Sequence, residues 1–342
     1  MRVGVIGCGY WGSKHVRVLH GIPEVTQVVV IDQDPERRAA MHRVFPNTVG
    51  FSTFDEAADH VDAVVVATPP TSHAPVGLDA ISRGKHVMVE KPLATSSVDG
   101  QLMVDRAAEE GVVLMVGHTF EYNAAVQRLR DIVQTGQLGE IYYFDSARLN
   151  LGLYQSDVNV VWDLAPHDIS VANYVLADRP TAVTAWGSAH AHAGVEDVAM
   201  LRLDYGTSGV VATMRNSWLD PCKVRRATVV GSEMMAVYND LNDAERIKLY
   251  DRGLVQAGDG EAVHEMPLSY RYGDVIAPFV DFQEPLLAED RHFVEAAITG
   301  IAPPTPGESG LEVVRIIEAA NESIRTGRTV ELRHEPAGLP SF

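Results

Sequence analysis

A short apolar run, Arg2 to Ile6, ends in Gly7-Cys8-Gly9-Tyr10-Trp11-Gly12 and passes into a helical pattern from Trp11 to His20. Glycines at that spacing between a strand and a helix admit few folds. The first permits a tight turn, the second lets the backbone approach a pyrophosphate, and the third lets helix and strand pack closely. The helix N-terminus adds positive potential. The alternation then repeats, with strands at Thr26 to Ile31, Ala63 to Ala67, His86 to Glu90 and Val112 to Val116. Helical patterns intervene at Pro35 to Val44, Ser72 to Arg83 and Ser96 to Glu110. This order predicts right-handed crossovers and an α/β, doubly wound parallel sheet of the Rossmann type over residues 1–120. Pro35 suits a first helical turn, Gly84 and Gly111 suit C-terminal stops, and Thr95 or Ser96 can cap the helix that follows.

Asp32 ends the second strand, twenty residues beyond Gly12. A carboxylate there accepts hydrogen bonds from adenosine ribose hydroxyls and repels a 2′-phosphate, so NAD is expected in preference to NADP. Arg37 and Arg38 oppose that preference in part. Gly7, Gly9, Tyr10, Trp11, Gly12 and Asp32 are the expected dinucleotide residues. Ala67-Thr68-Pro69-Pro70-Thr71-Ser72-His73 leaves the next strand at the same sheet edge, and its two prolines stiffen a loop that lacks backbone donors. Thr68, Pro69, Pro70 and His73 are expected along the cofactor; the plain alternative is a rigid turn before a capped helix. His118, ending the last parallel strand, is expected to line the same crevice with Glu90 and Lys91.

Beyond a helix near Asn123 to Gln134, strands at Ile141 to Leu149, Ala182 to Ala189, Asp197 to Leu203, Gly209 to Arg215 and Arg226 to Val230 follow without intervening helices. They predict a C-terminal α+β domain, residues 121–342, with a large, mostly antiparallel open sheet. One helix, Trp162 to Leu176, interrupts it. Late helices at Pro285 to Ile298 and Ser309 to Arg325 are expected to pack back on the first domain, with a final strand at Val330 to Arg333 and a frayed tail from His334. An open sheet needs its outer face covered, so a homodimer or homotetramer is expected.

The net charge of −18 excludes the basic footprint that nucleic acid requires. No apolar run approaches the roughly 20 residues that span a bilayer, and no signal-peptide pattern opens the chain, so no membrane partner and a cytoplasmic location are expected. Two cysteines, Cys8 and Cys222, form neither a disulfide framework nor a metal spacing. His190 and His192 lack a third ligand, and no metal is expected. His15, His20 and His42 read as partly exposed helix surface.

Two constellations carry chemistry. Glu90-Lys91-Pro92 places an amine at the mouth of the expected crevice, in a chain with only 5 lysines against 23 arginines. Asp163 and His167 are i and i+4 on the predicted helix, so a carboxylate there favours the imidazolium and readies the ring for proton exchange. A helical Asp/His pair alone is structural more often than catalytic.

In this order and spacing, the glycine loop, Asp32, Glu90-Lys91-Pro92 and Asp163-x-x-x-His167 resemble the glucose-fructose oxidoreductase / inositol dehydrogenase / rhizopine-catabolism (Gfo/Idh/MocA) family. The resemblance covers nearly the whole chain. It implies a nicotinamide dehydrogenase acting on a secondary alcohol of a sugar or cyclitol, with Lys91, Asp163 and His167 catalytic. His167 would exchange the hydroxyl proton, Asp163 would stabilise the imidazolium, and Lys91 would polarise the oxygen. Pro92 is cis in many members. Arg148-Leu149-Asn150-Leu151-Gly152 and Asp157 to Asp168 are similar to the branch that oxidises or reduces C3 of hexose units. That likeness implies a sugar nucleotide or an aminoglycoside-type amino sugar as substrate, held by Lys91, Asn123, Arg148, Asn150, Asp163 and His167, with the loop Asn150 to Val161 as its recognition segment. The acidic charge leans toward an amino sugar. An inositol-type cyclitol and a noncatalytic dinucleotide sensor stay open as alternatives.

Overall fold

The computed structural model describes residues 1–152, 154, 158–256 and 268–332. These residues divide into two compact units. The first, Met1–Asn123 with Gln283–Glu318, opens with β1 (Arg2–Ile6), α1 (Tyr10–Leu19), β2 (Gln27–Ile31), α2 (Pro35–Val44), β3 (Val49–Phe51), α3 (Phe54–Ala57), β4 (Ala63–Val66), α4 (His73–Ser82), β5 (His86–Glu90), α5 (Ser97–Glu110) and β6 (Leu114–Gly117). All strands are parallel, in the order β3-β2-β1-β4-β5-β6. Their cores are unbroken apolar runs because both faces are covered: Val3, Val5, Val29, Val64, Val65 and Val89 have no exposed surface. The caps follow the sequence. Asp34 accepts from the Glu36 N–H ahead of Pro35, Ser96 accepts from Asp99, and Gly111 ends α5 in the left-handed region. β3 and α3 were not legible in the sequence, where Val49 to Ala57 shows neither period clearly.

The second unit, Ala124–Phe282 with Ala319–Phe342, contains α6 (Ala124–Gln134), β7 (Ile141–Leu151), α7 (Val160–Leu176), β8 (Ala182–Ser188), β9 (Val198–Tyr205), β10 (Val210–Ser217), β11 (Leu219–Gly231), β12 (Met235–Asn239), β13 (Ile247–Gln256) and β14 (Leu268–Ile276). The late segment adds α8 (Pro285–Thr299) to the first unit, where Leu286, Phe293 and Val294 join Val16, Leu19 and Ile22 in one core. Along α9 (Gly307–Thr326) the chain passes from the first unit to the second, and β15 (Val330–Glu331) ends the description. The expected tail from His334 lies outside the described residues.

Among the described residues nine strands make the second sheet, ordered β14-β13-β12-β11-β7-β10-β9-β8-β15. Every pair is antiparallel except β7 with β10. α7 covers one face, over Phe144, Leu201, Leu203, Ala212 and Met214. The other face is open and partly apolar: Trp186 stands opposite Met200, and both are about half exposed. Among the described residues no helix is long and apolar enough to cross a membrane.

Candidate active site

Each glycine of the first loop meets a different constraint. Gly7 has φ +88°, and a Cβ there would lie 2.8 Å from the Ala67 carbonyl oxygen. A Cβ on Gly12 would lie 1.8 Å from the Gly7 carbonyl oxygen, so only glycine lets α1 close on β1. Gly9 is open: the nearest atom to its built Cβ is Arg37 Nη1 at 3.8 Å. That bare backbone at a helix N-terminus is the cradle a pyrophosphate requires, and the residues present fit a dinucleotide. Asp32 shapes the loop directly, accepting from Cys8 N at 2.7 Å with one oxygen and from Asp34 N at 2.8 Å with the other. Arg37 Nη1 stands 3.7 Å from the same carboxylate. Tyr10 and Trp11 are exposed beside the loop, and Lys14 Nζ lies 4.6 Å from the Tyr10 ring centre. Burial, with Asp32 adding to it, pushes the Cys8 thiol up to about 12.

In the loop after β4, Ser72 Oγ donates to the Pro69 carbonyl oxygen at 2.7 Å and lies 2.8 Å from Thr68 Oγ1. His73 has a different task from the cofactor contact expected of it. Its ring is buried, with Nδ1 2.7 Å from the Pro92 carbonyl oxygen and Nε2 2.8 Å from that of Thr68. Burial lowers its pKa while the two carbonyls oppose the shift. The ring therefore ties the loop after β4 to the loop after β5, where the Lys91–Pro92 peptide is cis. Thr68, Pro69 and Pro70 follow β4 at the C-terminal edge of the parallel sheet.

His15 also departs from expectation. It has no exposed surface; its Nε2 lies 3.0 Å from Glu90 Oε1 and its Nδ1 2.8 Å from Asp290 Oδ1. An imidazole with a carboxylate on each nitrogen is held doubly protonated. Burial acts against that charge, yet Asp290 and Glu90 outweigh it and raise the pKa well above the ordinary value. Glu90, despite burial, is kept below the usual carboxyl range by His15, and its Oε2 accepts from Lys91 N at 3.2 Å. Glu289 accepts from Thr119, and burial next to Glu90 raises its carboxyl well above the ordinary range. Glu90 is thus a buried support for the Lys91 peptide. His118 is buried at the end of β6, neither ring nitrogen has a hydrogen-bond partner among the described residues, and burial lowers its pKa to about 4. Asn123 is buried at the last residue of this segment.

In the second unit, Asn159 caps α7, accepting from Trp162 N while its amide donates to Glu196 and Asn321. Asp163 sits in the first turn, where the helix dipole favours a carboxylate, and His167 follows one turn later on the same face. Both are half-buried. Asp163 Oδ2 accepts from Trp218 Nε1 at 3.0 Å, a partner with no signal in the sequence. Arg148 is corrected. It is 6% exposed and donates through Nε and Nη2 to Asp168 Oδ1 at 3.2 and 3.1 Å, while Asn216 donates to Oδ2 at 2.9 Å. The guanidinium is thus paired inside the protein with the Asp168 carboxylate. Asn150 is half-buried near the end of β7. Of the expected recognition loop, residue 153 and residues 155–157, Asp157 included, lie outside the described residues.

The profile described as the oxidoreductase family, NAD-binding Rossmann fold (Gfo/Idh/MocA), matches residues 1–118, and the Gfo/Idh/MocA C-terminal domain matches residues 126–237. The chain is 30% identical over 261 residues to UDP-N-acetylglucosamine 3-dehydrogenase of Acidithiobacillus ferrooxidans, covering 74% of this chain and 78% of that one. It is 25% identical over 352 residues to D-apiose dehydrogenase of Paraburkholderia graminis, covering 98% and 91%. The crystal structure of GenD2 from gentamicin A biosynthesis in complex with NAD superposes with a TM-score of 0.82 at 25% identity, covering 98% of this chain and 97% of that chain. With both profile matches in sequence order, a glycine cradle built for a dinucleotide and relatives that are dehydrogenases, the chain belongs to the Gfo/Idh/MocA family and is a nicotinamide-dependent dehydrogenase acting on CH–OH groups.

Proposed function

We propose that this protein moves a hydride between NAD and the C3 hydroxyl carbon of a hexose unit, in a sugar nucleotide or an aminoglycoside-type amino sugar. The observation that carries the reading is the Asp163/His167 pair, one helical turn apart, with Asp163 anchored and the imidazole half-open. The relatives named for C3 oxidation of UDP-N-acetylglucosamine and for gentamicin biosynthesis support the substrate class. The acidic charge of −18 favours a cationic amino sugar over a polyanionic sugar nucleotide.

Gly7, Gly9 and Gly12, with Tyr10, Trp11, Asp32 and the Thr68 to Pro70 loop, hold the dinucleotide. The bound nicotinamide supplies the hydride acceptor. Neutral His167 takes the proton from the substrate hydroxyl, and Asp163 stabilises the imidazolium that results. Lys91 donates a hydrogen bond to the same oxygen and offsets its developing negative charge, while Glu90 and His15 fix the peptide that carries it. The second unit binds the sugar through Asn150 and the α7 residues, and the open outer face around Trp186 and Met200 joins copies into a homodimer or homotetramer.

The test is turnover with NAD against UDP-N-acetylglucosamine, aminoglycoside pseudosaccharides and inositols, followed by the absorbance of reduced nicotinamide. Activity on a hexose C3 hydroxyl supports the reading, and activity confined to inositols replaces it with a cyclitol dehydrogenase. Lys91→Ala should cost about 10²- to 10³-fold in kcat while NAD still binds. Full turnover in that variant would overturn the role of Lys91.

A further inference from the structure

We infer that Trp218 is the positioning residue for Asp163, and that Gly152 and Tyr154 hold its indole in place. The inference rests on the proton-transfer role given above to Asp163 and His167.

Trp218 is only 2% exposed, and its place is set from several directions. Its backbone N–H donates to the Asp197 carbonyl oxygen at 2.9 Å, and its own carbonyl accepts from Gly152 N at 3.2 Å. The Tyr154 ring lies 4.9 Å from the indole, centre to centre, and the Tyr154 hydroxyl donates to Asp197 Oδ2 at 2.9 Å. Asp197 is itself anchored by the backbone N–H groups of His190 and Ala191 and by the His190 ring, and these bonds hold its carboxyl at about 2 against the opposing effect of burial. A Cβ on Gly152 would lie 2.7 Å from the indole Cδ1. Glycine is therefore required there by the ring, and φ at this position is not in the left-handed range.

An indole has one polar atom, and that atom is a donor only. Trp218 Nε1 spends its hydrogen on Asp163 Oδ2 at 3.0 Å. An aspartate carboxylate turns about two torsions, and a fixed, desolvated donor on Oδ2 restricts both. The arrangement converts packing of a rigid aromatic ring into orientation of a carboxylate, and misplacement of about 1 Å at such a group costs on the order of 10²-fold.

Trp218→Phe keeps an aromatic ring and removes the donor. We expect a loss in kcat of roughly ten- to a hundredfold, with KM for NAD within about twofold of wild type. A double-mutant cycle with Asp163→Asn separates positioning from general structure. If the indole acts through Asp163, Trp218→Phe costs less than about twofold more once Asp163 is Asn. An equal cost in both backgrounds overturns the inference while leaving the Asp163 role intact. A silent Asp163→Asn overturns the role itself. Gly152→Ala displaces the indole by the opposite route and should reproduce the kcat loss of Trp218→Phe, again only with Asp163 present. It keeps the inference open to refutation should Trp218→Phe fail to fold, because a fully active Gly152→Ala enzyme overturns it.

Discussion

His15 Nε2 and Glu90 Oε1 meet at 3.0 Å in the interior of the first unit, with Asp290 on the other ring nitrogen. Two carboxylates buried against one imidazole hold only while the ring is charged. Replacing His15 with Gln leaves both acids without a cation and should cost about 3–5 kcal/mol, read from urea unfolding. Lys91 hangs from Glu90 through its backbone N–H, so kcat should fall further than the stability loss alone explains.

The same cluster sets the direction of pH dependence. His15 and Glu289 both have raised pKa values in the folded state. The folded chain therefore holds protons that the unfolded chain gives up, and stability falls as pH rises. The contribution of His15 is complete below the ordinary histidine value of about 6.5 and is lost as pH climbs through its higher folded value. Glu289 adds the same slope from the ordinary carboxyl range upward. Glu90, lowered, acts oppositely in acid. Unfolding midpoints should decline as pH rises above the ordinary histidine value of about 6.5, and more shallowly in His15→Gln.

Gly9 and Gly12 should separate binding from folding. The Cβ of Gly9→Ala enters open space, so the variant should melt within about 2 °C of wild type while NAD affinity falls at least about tenfold by calorimetry. Gly12→Ala drives its methyl into the Gly7 carbonyl, so it should lose thermal stability and NAD binding together.

Arg148→Met should act on stability before it acts on substrate. It strands the buried Asp168 carboxylate, at a cost of about 3–5 kcal/mol in unfolding measurements. A variant with normal stability and only a raised substrate KM would restore Arg148 as a substrate contact.

Alkylation should discriminate the two cysteines. Cys222 is exposed, whereas Cys8 is buried and its thiol is pushed up to about 12. Iodoacetamide near neutral pH should label Cys222 alone, and mass spectrometry of the peptides reads the result.

The parallel sheet was legible because its determinants are local. Runs such as Val28 to Ile31 and Val87 to Val89, punctuated by Gly7, Gly12 and Gly111, report strand, turn and helix within a few residues of themselves. β12, β13 and β14, at one end of the open sheet with β14 as its edge, were missed because such strands owe less to an apolar pattern than to the neighbours they pair with. His15 read as surface because its helix looked amphipathic, and only the return of α8, nearly 300 residues into the chain, brings Asp290 to cover it.

Residue order alone therefore determined the dinucleotide loop, the Glu90-Lys91-Pro92 bend and the i, i+4 spacing of Asp163 and His167, since each is a property of neighbours along the chain. Tertiary structure decided which polar side chains are spent inside the protein. His73 on two carbonyls, Arg148 on Asp168 and Trp218 on Asp163 are partnerships between distant segments. A buried donor or acceptor must find whichever partner the fold brings to it, and no local pattern records that choice.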